Sequence, residues 1–221
     1  MAANEPTEQP PNAPRSRKGA LTRARLLEAA RLVFEETGFL EARISDIAER
    51  AGMSHGSFYH YFDSKEQIFR EVAESLETLL TAPANETEEE SDPSADPSEY
   101  EKLVRANRRY LRRYRDNAKI MGVIEEVSRY DEQVKQARIQ RQKHFADRAE
   151  RSIRRLQAEG RADTRVDPSI AALALGSMVG RSAELCLVEG WDDYDFDKIA
   201  EQLTLLWANA IGLDEPRRSE P

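Results

Sequence analysis

The chain has 221 residues, a net charge of −8 and one cysteine, which excludes an intramolecular disulfide framework and suits a reducing compartment. The acidity is uneven: residues 15 to 70 hold ten Lys and Arg against eight Asp and Glu, while residues 71 to 221 carry a net −8, so any polyanion should meet the first third. No apolar run is read as long enough for a membrane span and no signal-like apolar core opens the chain, so a soluble, cytoplasmic protein is expected.

Residues 1 to 19 are rich in Pro, Ala and polar side chains without apolar periodicity, which predicts a flexible arm ending in the basic cluster Arg15 to Lys18. Such an arm can enter a minor groove or merely aid solubility. From Thr22 to Thr37, Leu26, Leu27, Ala30, Val33 and Phe34 recur at spacings of three and four, an amphipathic helix stopped by Gly38. The stretch from Ile44 to Lys65 reads as a helix, a tight turn and a short second helix. Ile47 and Ala48 give the first a close-packing face, Gly52 supplies a positive φ, and Met53 points back to a small core. Ser54 caps the second, whose Phe58 and Phe62 lie four apart and can both be buried. His55, Ser57, Tyr59 and Tyr61 then present polar groups and aromatic edges from a helix of about two turns, as a groove reader requires. Ser64 to Gln67 form a capping box opening a long helix through Ile68, Phe69, Val72, Ala73, Leu76, Leu79 and Leu80.

The spacing of Phe34, Gly38, Ile47, Ala48, Gly52, Tyr59, Tyr61, Phe62 and Lys65 resembles the DNA-binding motif of TetR-family transcriptional regulators. The resemblance covers about Leu21 to Leu76 and is only architectural beyond. That family usually carries Thr or Ser ahead of the second helix, where this chain has Ala42 and Arg43; a hydroxyl cap is lost and a cation gained.

The segment from 82 to 98 is acidic, contains Pro and lacks large apolar residues, which predicts an exposed loop. Ser98 and Glu101 form a second capping box, and Tyr100, Leu103, Val104, Tyr110, Leu111 and Tyr114 give the next helix a buried stripe opposite Arg105, Arg108, Arg109, Arg112 and Arg113, expected as a salt-bridged, solvated face. A short apolar helix follows from Asn117 to Val127. A long polar helix from Asp131 to Glu159 carries Val134, Ala137, Phe145, Ala149, Ile153 and Leu156 and stops at Gly160. Asp167 and Pro168 open a helix apolar nearly all round, expected to be buried on several sides, and a last helix runs from Asp195 to Ile211. Cys186, among Leu185, Leu187 and Val188, reads as a small buried hydrophobe.

The expected fold is all-α with about nine helices: an N-terminal three-helix DNA-binding domain with a helix-turn-helix (20–66), then a larger helical effector-binding and dimerisation domain (67–213), with a polar tail at 214–221. The resemblance implies a repressor, in which Ser54, Ser57, Tyr61 and Lys65 meet phosphates and His55, Gly56 and Tyr59 approach bases of an operator. Arg43, Ser45 and His60 complete the candidate DNA-binding set. A roughly palindromic operator would be met by a homodimer formed through Leu175, Val179, Leu203, Leu206, Trp207 and Ala210. The resemblance also implies an effector pocket. Ile120, Met121, Ile124, Phe145, Met178 and Trp191 are its candidates, an uncharged group that points to a hydrophobic or acyl-type small molecule. No metal site, cofactor or membrane partner is expected, and no enzymatic activity: His144, flanked by Lys143 and Phe145, reads as a surface or packing residue, and no phosphate-cradling glycine loop is present. The alternatives are a protein-interaction module and an enzyme that uses the helix-turn-helix as scaffold. The polar face of the second helix favours DNA over a protein partner.

Overall fold

The computed structural model describes residues 17–83, 97–191 and 194–213, which contain nine α-helices and no strand. These are α1 (Arg17–Glu41), α2 (Ile44–Arg50), α3 (His55–Phe58), α4 (Lys65–Thr81), α5 (Glu99–Asp116), α6 (Ala118–Val127), α7 (Glu132–Ala158), α8 (Pro168–Leu187) and α9 (Phe196–Ala210). The chain forms two compact units, Met1–Ser75 and Leu76–Pro221. The division falls within α4, past the boundary expected at residues 66 and 67, because the helix has no break there.

The first unit is held by aromatic rings. Gly38, at φ 74 and ψ 172, interrupts the helical geometry of α1 and turns Phe39 inward against Phe34 and Phe69, with ring centroids 5.9 and 4.9 Å away. Phe34, Phe58 and Phe62 are fully buried, each such burial stabilising by about 1.5–3 kcal/mol. α1 begins at Arg17, so Arg17, Lys18 and Gly19, expected in a flexible arm, are helical. Residues 1–16 and the acidic stretch 84–96 lie outside the described residues.

In the second unit, α8 packs chiefly along α7, and α5 packs against α9 and α8. Its helices start and stop at the expected signals. Ser98 and Glu101 exchange both capping-box hydrogen bonds. Asp131 accepts from the amides of Gln133 and Val134, and Asp167 accepts from Ile170 ahead of Pro168. At Gly160, φ 68, α7 ends with the amide of Arg161 donating to Leu156. The opening of α4 is a variant: the Ser64 hydroxyl accepts from the Gln67 amide as expected, but the Gln67 side chain accepts from Asp63 rather than from Ser64.

Four expectations need correction. α8 is 20 residues long and apolar enough, by length and composition, to cross a membrane. It is not enclosed on several sides within the chain either: Ile170 and Leu173 are 64% and 60% exposed. Cys186 is only half-buried. Arg113, assigned to a solvated face, is buried and donates to the carbonyls of Leu79, Ala82 and Pro83. A guanidinium there satisfies carbonyls left open where α4 ends.

Candidate nucleic-acid interface and effector cavity

In the first unit, α2 and α3 meet at a turn made by Gly52, whose φ of 66 lets the amide of Met53 reach the Ala48 carbonyl. The cap of α2 is Arg43, which makes no side-chain capping bond, as the missing hydroxyl predicts; Ser45 instead bonds Asp46 at 3.0 Å. α3 spans only His55–Phe58, shorter than the two turns expected, with Tyr59 as its cap. The amide of Phe62 still reaches the Phe58 carbonyl at 3.1 Å, so both phenylalanines point inward. The outer surface carries His55, Gly56, Tyr59 and His60, all exposed, with Ser57 and Tyr61 half-buried. The His55 and Tyr59 rings meet edge to face at 5.4 Å. The Ser54 hydroxyl accepts from the Ser57 amide and lies 2.8 Å from the Ser57 hydroxyl. A Cβ added at Gly56 would meet no atom within 4 Å, so the chain itself does not require glycine there.

The cations sort into two groups. Arg23 pairs with Glu71 and stacks over Phe62 at 4.6 Å, and Arg25 donates to the Ala51 carbonyl, so both brace the fold. Lys65 joins them: its ammonium donates to the carbonyls of Phe39, Leu40 and Ala42 at 2.7, 3.1 and 3.0 Å. With three N–H donors on three carbonyls, the ammonium has none left for a phosphate in this arrangement. The bracing group was missed because spacing alone does not separate a cation aimed at solvent from one aimed at a helix end. Arg17, Lys18 and Arg43 are exposed and make no ion pair among the described residues.

The second unit contains a cavity of about 630 Å³ lined by α5, α7 and α8 with Leu80, Trp207 and Ile211. Its apolar walls include Leu103, Ile139, Phe145 and Leu156. Charged groups cluster deep in the same region. Arg141, 6% exposed, places Nη1 3.1 and 2.9 Å from the two carboxylate oxygens of Glu77. Arg138 pairs with Glu125 and donates to the Ser128 hydroxyl at 2.7 Å. Burial pushes the Glu77 carboxyl upward against the pull of Arg141, and that of Glu125 upward against Arg138. The phenols of Tyr110 and Tyr114 are raised, chiefly by burial. Such a space can enclose an apolar body while offering hydrogen bonds to one polar group.

Residues 26–72 match the family described as "Bacterial regulatory proteins, tetR family", and residues 96–184 match "Tetracyclin repressor-like, C-terminal domain". The chain belongs to the TetR family. Among TetR-family relatives, the HTH-type transcriptional regulator YdgC of Bacillus subtilis is 49% identical over 55 residues, 25% of this chain and 28% of YdgC. The HTH-type transcriptional regulator TtgR of Pseudomonas putida is 36% identical over 74 residues, 33% of this chain and 35% of TtgR. The matches thus span about a third or less of these relatives' lengths. Solved structures share the fold across both units. SmeT, the repressor of a Stenotrophomonas maltophilia multidrug efflux pump, superposes with a TM-score of 0.66 at 22% identity, covering 90% of this chain and 96% of SmeT. The fatty acid degradation regulator FadR of Bacillus halodurans gives 0.66 at 16% identity, over 88% and 96%.

Of the six effector candidates in this TetR-family chain, only Phe145 lines the cavity, edge-on to Tyr110 at 5.3 Å. Ile120, Met121 and Ile124 are fully buried core, Met178 is half-buried outside the lining, and Trp191 is 72% exposed. The apolar α6 cluster attracted the assignment, but the most apolar face closes against neighbours and leaves no void. The cavity groups that were missed carried a sequence signal: Arg141 continues the stripe of Val134 and Ala137 towards Phe145, a cation where an apolar residue is due. The dimer set also divides. Leu175, Val179, Leu203 and Trp207 are buried within their own chain, whereas Leu206, 54% exposed, and Ala210 remain on the surface.

Proposed function

We propose that this TetR-family regulator is a homodimeric repressor that binds a roughly palindromic operator and releases it when a small molecule occupies the cavity of the second unit. The observation that carries the DNA-binding reading is the surface of α3. His55, Gly56, Tyr59 and His60 are exposed above a closed aromatic core, and the side chains of His55, Tyr59 and His60 make no hydrogen bond among the described residues. His55 and Tyr59 offer hydrogen bonds to base edges, and the open space over Gly56 admits close backbone approach. Arg17, Lys18 and Arg43, exposed and without ion pairs among the described residues, suit phosphates. Ser45, Ser54, Ser57 and Tyr61 are assigned to backbone contacts beside them.

The homodimer reading rests on the apolar side chains α8 and α9 leave open, with Ile170 and Leu206 at 64% and 54% exposure. A twofold dimer would present two readers about one duplex turn apart, ~34–36 Å. The effector reading rests on the cavity volume and on its mixture of apolar walls and buried polar groups. The test is an electrophoretic shift of the full chain on genomic fragments across a salt series. A subset of fragments should bind tightly and lose affinity steeply as salt rises. Equal, weak binding to every fragment would refute operator recognition.

A further inference from the structure

We propose that the ligand of this cavity carries an anionic carboxylate head on an apolar body, and that the head takes the Arg141 guanidinium away from Glu77 of α4. This rests on the effector reading above. The first observation is charge. Residues 71 to 221 are net acidic, yet the cavity is lined by eight Lys and Arg against three Glu. Lys102, Arg138, Arg155 and Arg181 are paired with Glu99, Glu125 and Glu184, and the cations still outnumber the lining carboxylates, which favours an anion there.

The second observation is unmet hydrogen-bonding capacity. The side chain of Arg141 is 5% exposed, and the only hydrogen bond of its guanidinium among the described residues is the one from Nη1 to Glu77. Tyr114, 1% exposed, and Tyr110 both line the cavity, and neither hydroxyl has a partner among the described residues. These donors open onto the cavity, where a ligand can reach them. A carboxylate supplies acceptors for both phenols and a two-point partner for the guanidinium. A cationic head has no equivalent, since Glu125 is already paired with Arg138 and Glu184 with Arg181. A wholly apolar ligand leaves the same donors empty. This narrows the hydrophobic or acyl-type effector expected from the uncharged α6 cluster.

The third observation is where the competition falls. Glu77 lies on α4 between Leu76 and Leu80, and α4 is continuous from Lys65. Its carboxylate is buried, and Arg141 is the cation that pairs with it. A ligand carboxylate on Arg141 removes that partner, and a buried carboxylate without one shifts or takes up a proton. Ligand binding is thereby coupled to the helix that continues into the first unit.

The experiment uses the full chain with dodecanoate, methyl dodecanoate and dodecyltrimethylammonium, followed by calorimetry and by fluorescence of Trp207, which lines the cavity. Dodecanoate should bind at least about tenfold more tightly than either control. Arg141→Gln should lose that advantage while leaving the ester's affinity unchanged, and Glu77→Gln should tighten dodecanoate by about tenfold by freeing the guanidinium. A variant that has merely loosened the fold would weaken acid and ester alike, and thermal unfolding of each variant identifies such loosening. The proposal is overturned if dodecanoate and its octanoate-to-hexadecanoate homologues fail to bind, if ester and acid bind alike, or if Glu77→Gln weakens the acid. Operator affinity separates the two readings. An Arg141-dependent acid that leaves DNA binding intact refutes the effector role but keeps the head assignment; an ester that releases DNA as well as the acid keeps the effector role and refutes the head.

Discussion

The two units spend their buried volume in opposite ways. The first closes its core with Phe34, Phe39, Phe58, Phe62 and Phe69, all buried, and keeps its polar chemistry on the surface. The second leaves about 630 Å³ open and draws Glu77, Glu125, Arg138 and Arg141 in around the space. A reader of a rigid duplex gains from a fixed surface, whereas a sensor needs an interior whose pairings a ligand can change.

The contrast breaks first if a core phenylalanine of the reader can be removed cheaply. Phe58→Ala should cost about 3–5 kcal/mol, seen as a large drop in thermal stability with loss of DNA binding; a loss below about 1 kcal/mol would mean that this core is not close-packed. Met121→Ala comes next, at about 2–5 kcal/mol, because Met121 is fully buried and absent from the cavity lining. The affinity of any cavity ligand should stay unchanged in calorimetry, and a selective change would return α6 to the pocket. Lys65→Ala removes donors to three carbonyls and should cost about 1–3 kcal/mol in chemical denaturation, with the slope of DNA affinity against salt left as it was. A slope flatter by about one unit would put Lys65 on a phosphate after all. Ser98→Ala, which breaks the capping box of α5, should cost only about 1 kcal/mol and touch neither DNA nor ligand.

Much of the fold was legible because its signals are local. Gly52 and Gly160 mark helix ends and Gly38 a break within α1 through positive φ; Ser54, Ser98 and Asp167 cap where they were expected to, and Asp131 and Asp195, expected as helix starts, cap theirs. The reader's core was legible for a related reason: Phe58 and Phe62 lie four apart, so one periodicity fixes both. What failed was long-range. Nothing local in Lys65 reveals that the end of α1 arrives within reach of its ammonium, and nothing in Arg113 reveals the carbonyls that close α4. The cavity was misplaced because apolar character measures the tendency to be buried, and the best-buried residues of α6 are those that leave no space. Arg141 was the readable clue, a cation in an apolar stripe.

The central claim is that the exposed face of α3 reads DNA sequence. It is tested most directly by selecting bound fragments from a randomised duplex pool with the full chain and with His55→Ala and Tyr59→Phe, each checked for unchanged thermal stability. The account predicts one enriched, roughly palindromic sequence for the unaltered chain and altered base preference in both variants, with the fold intact. The same enriched sequence at the same affinity in all three proteins would contradict it.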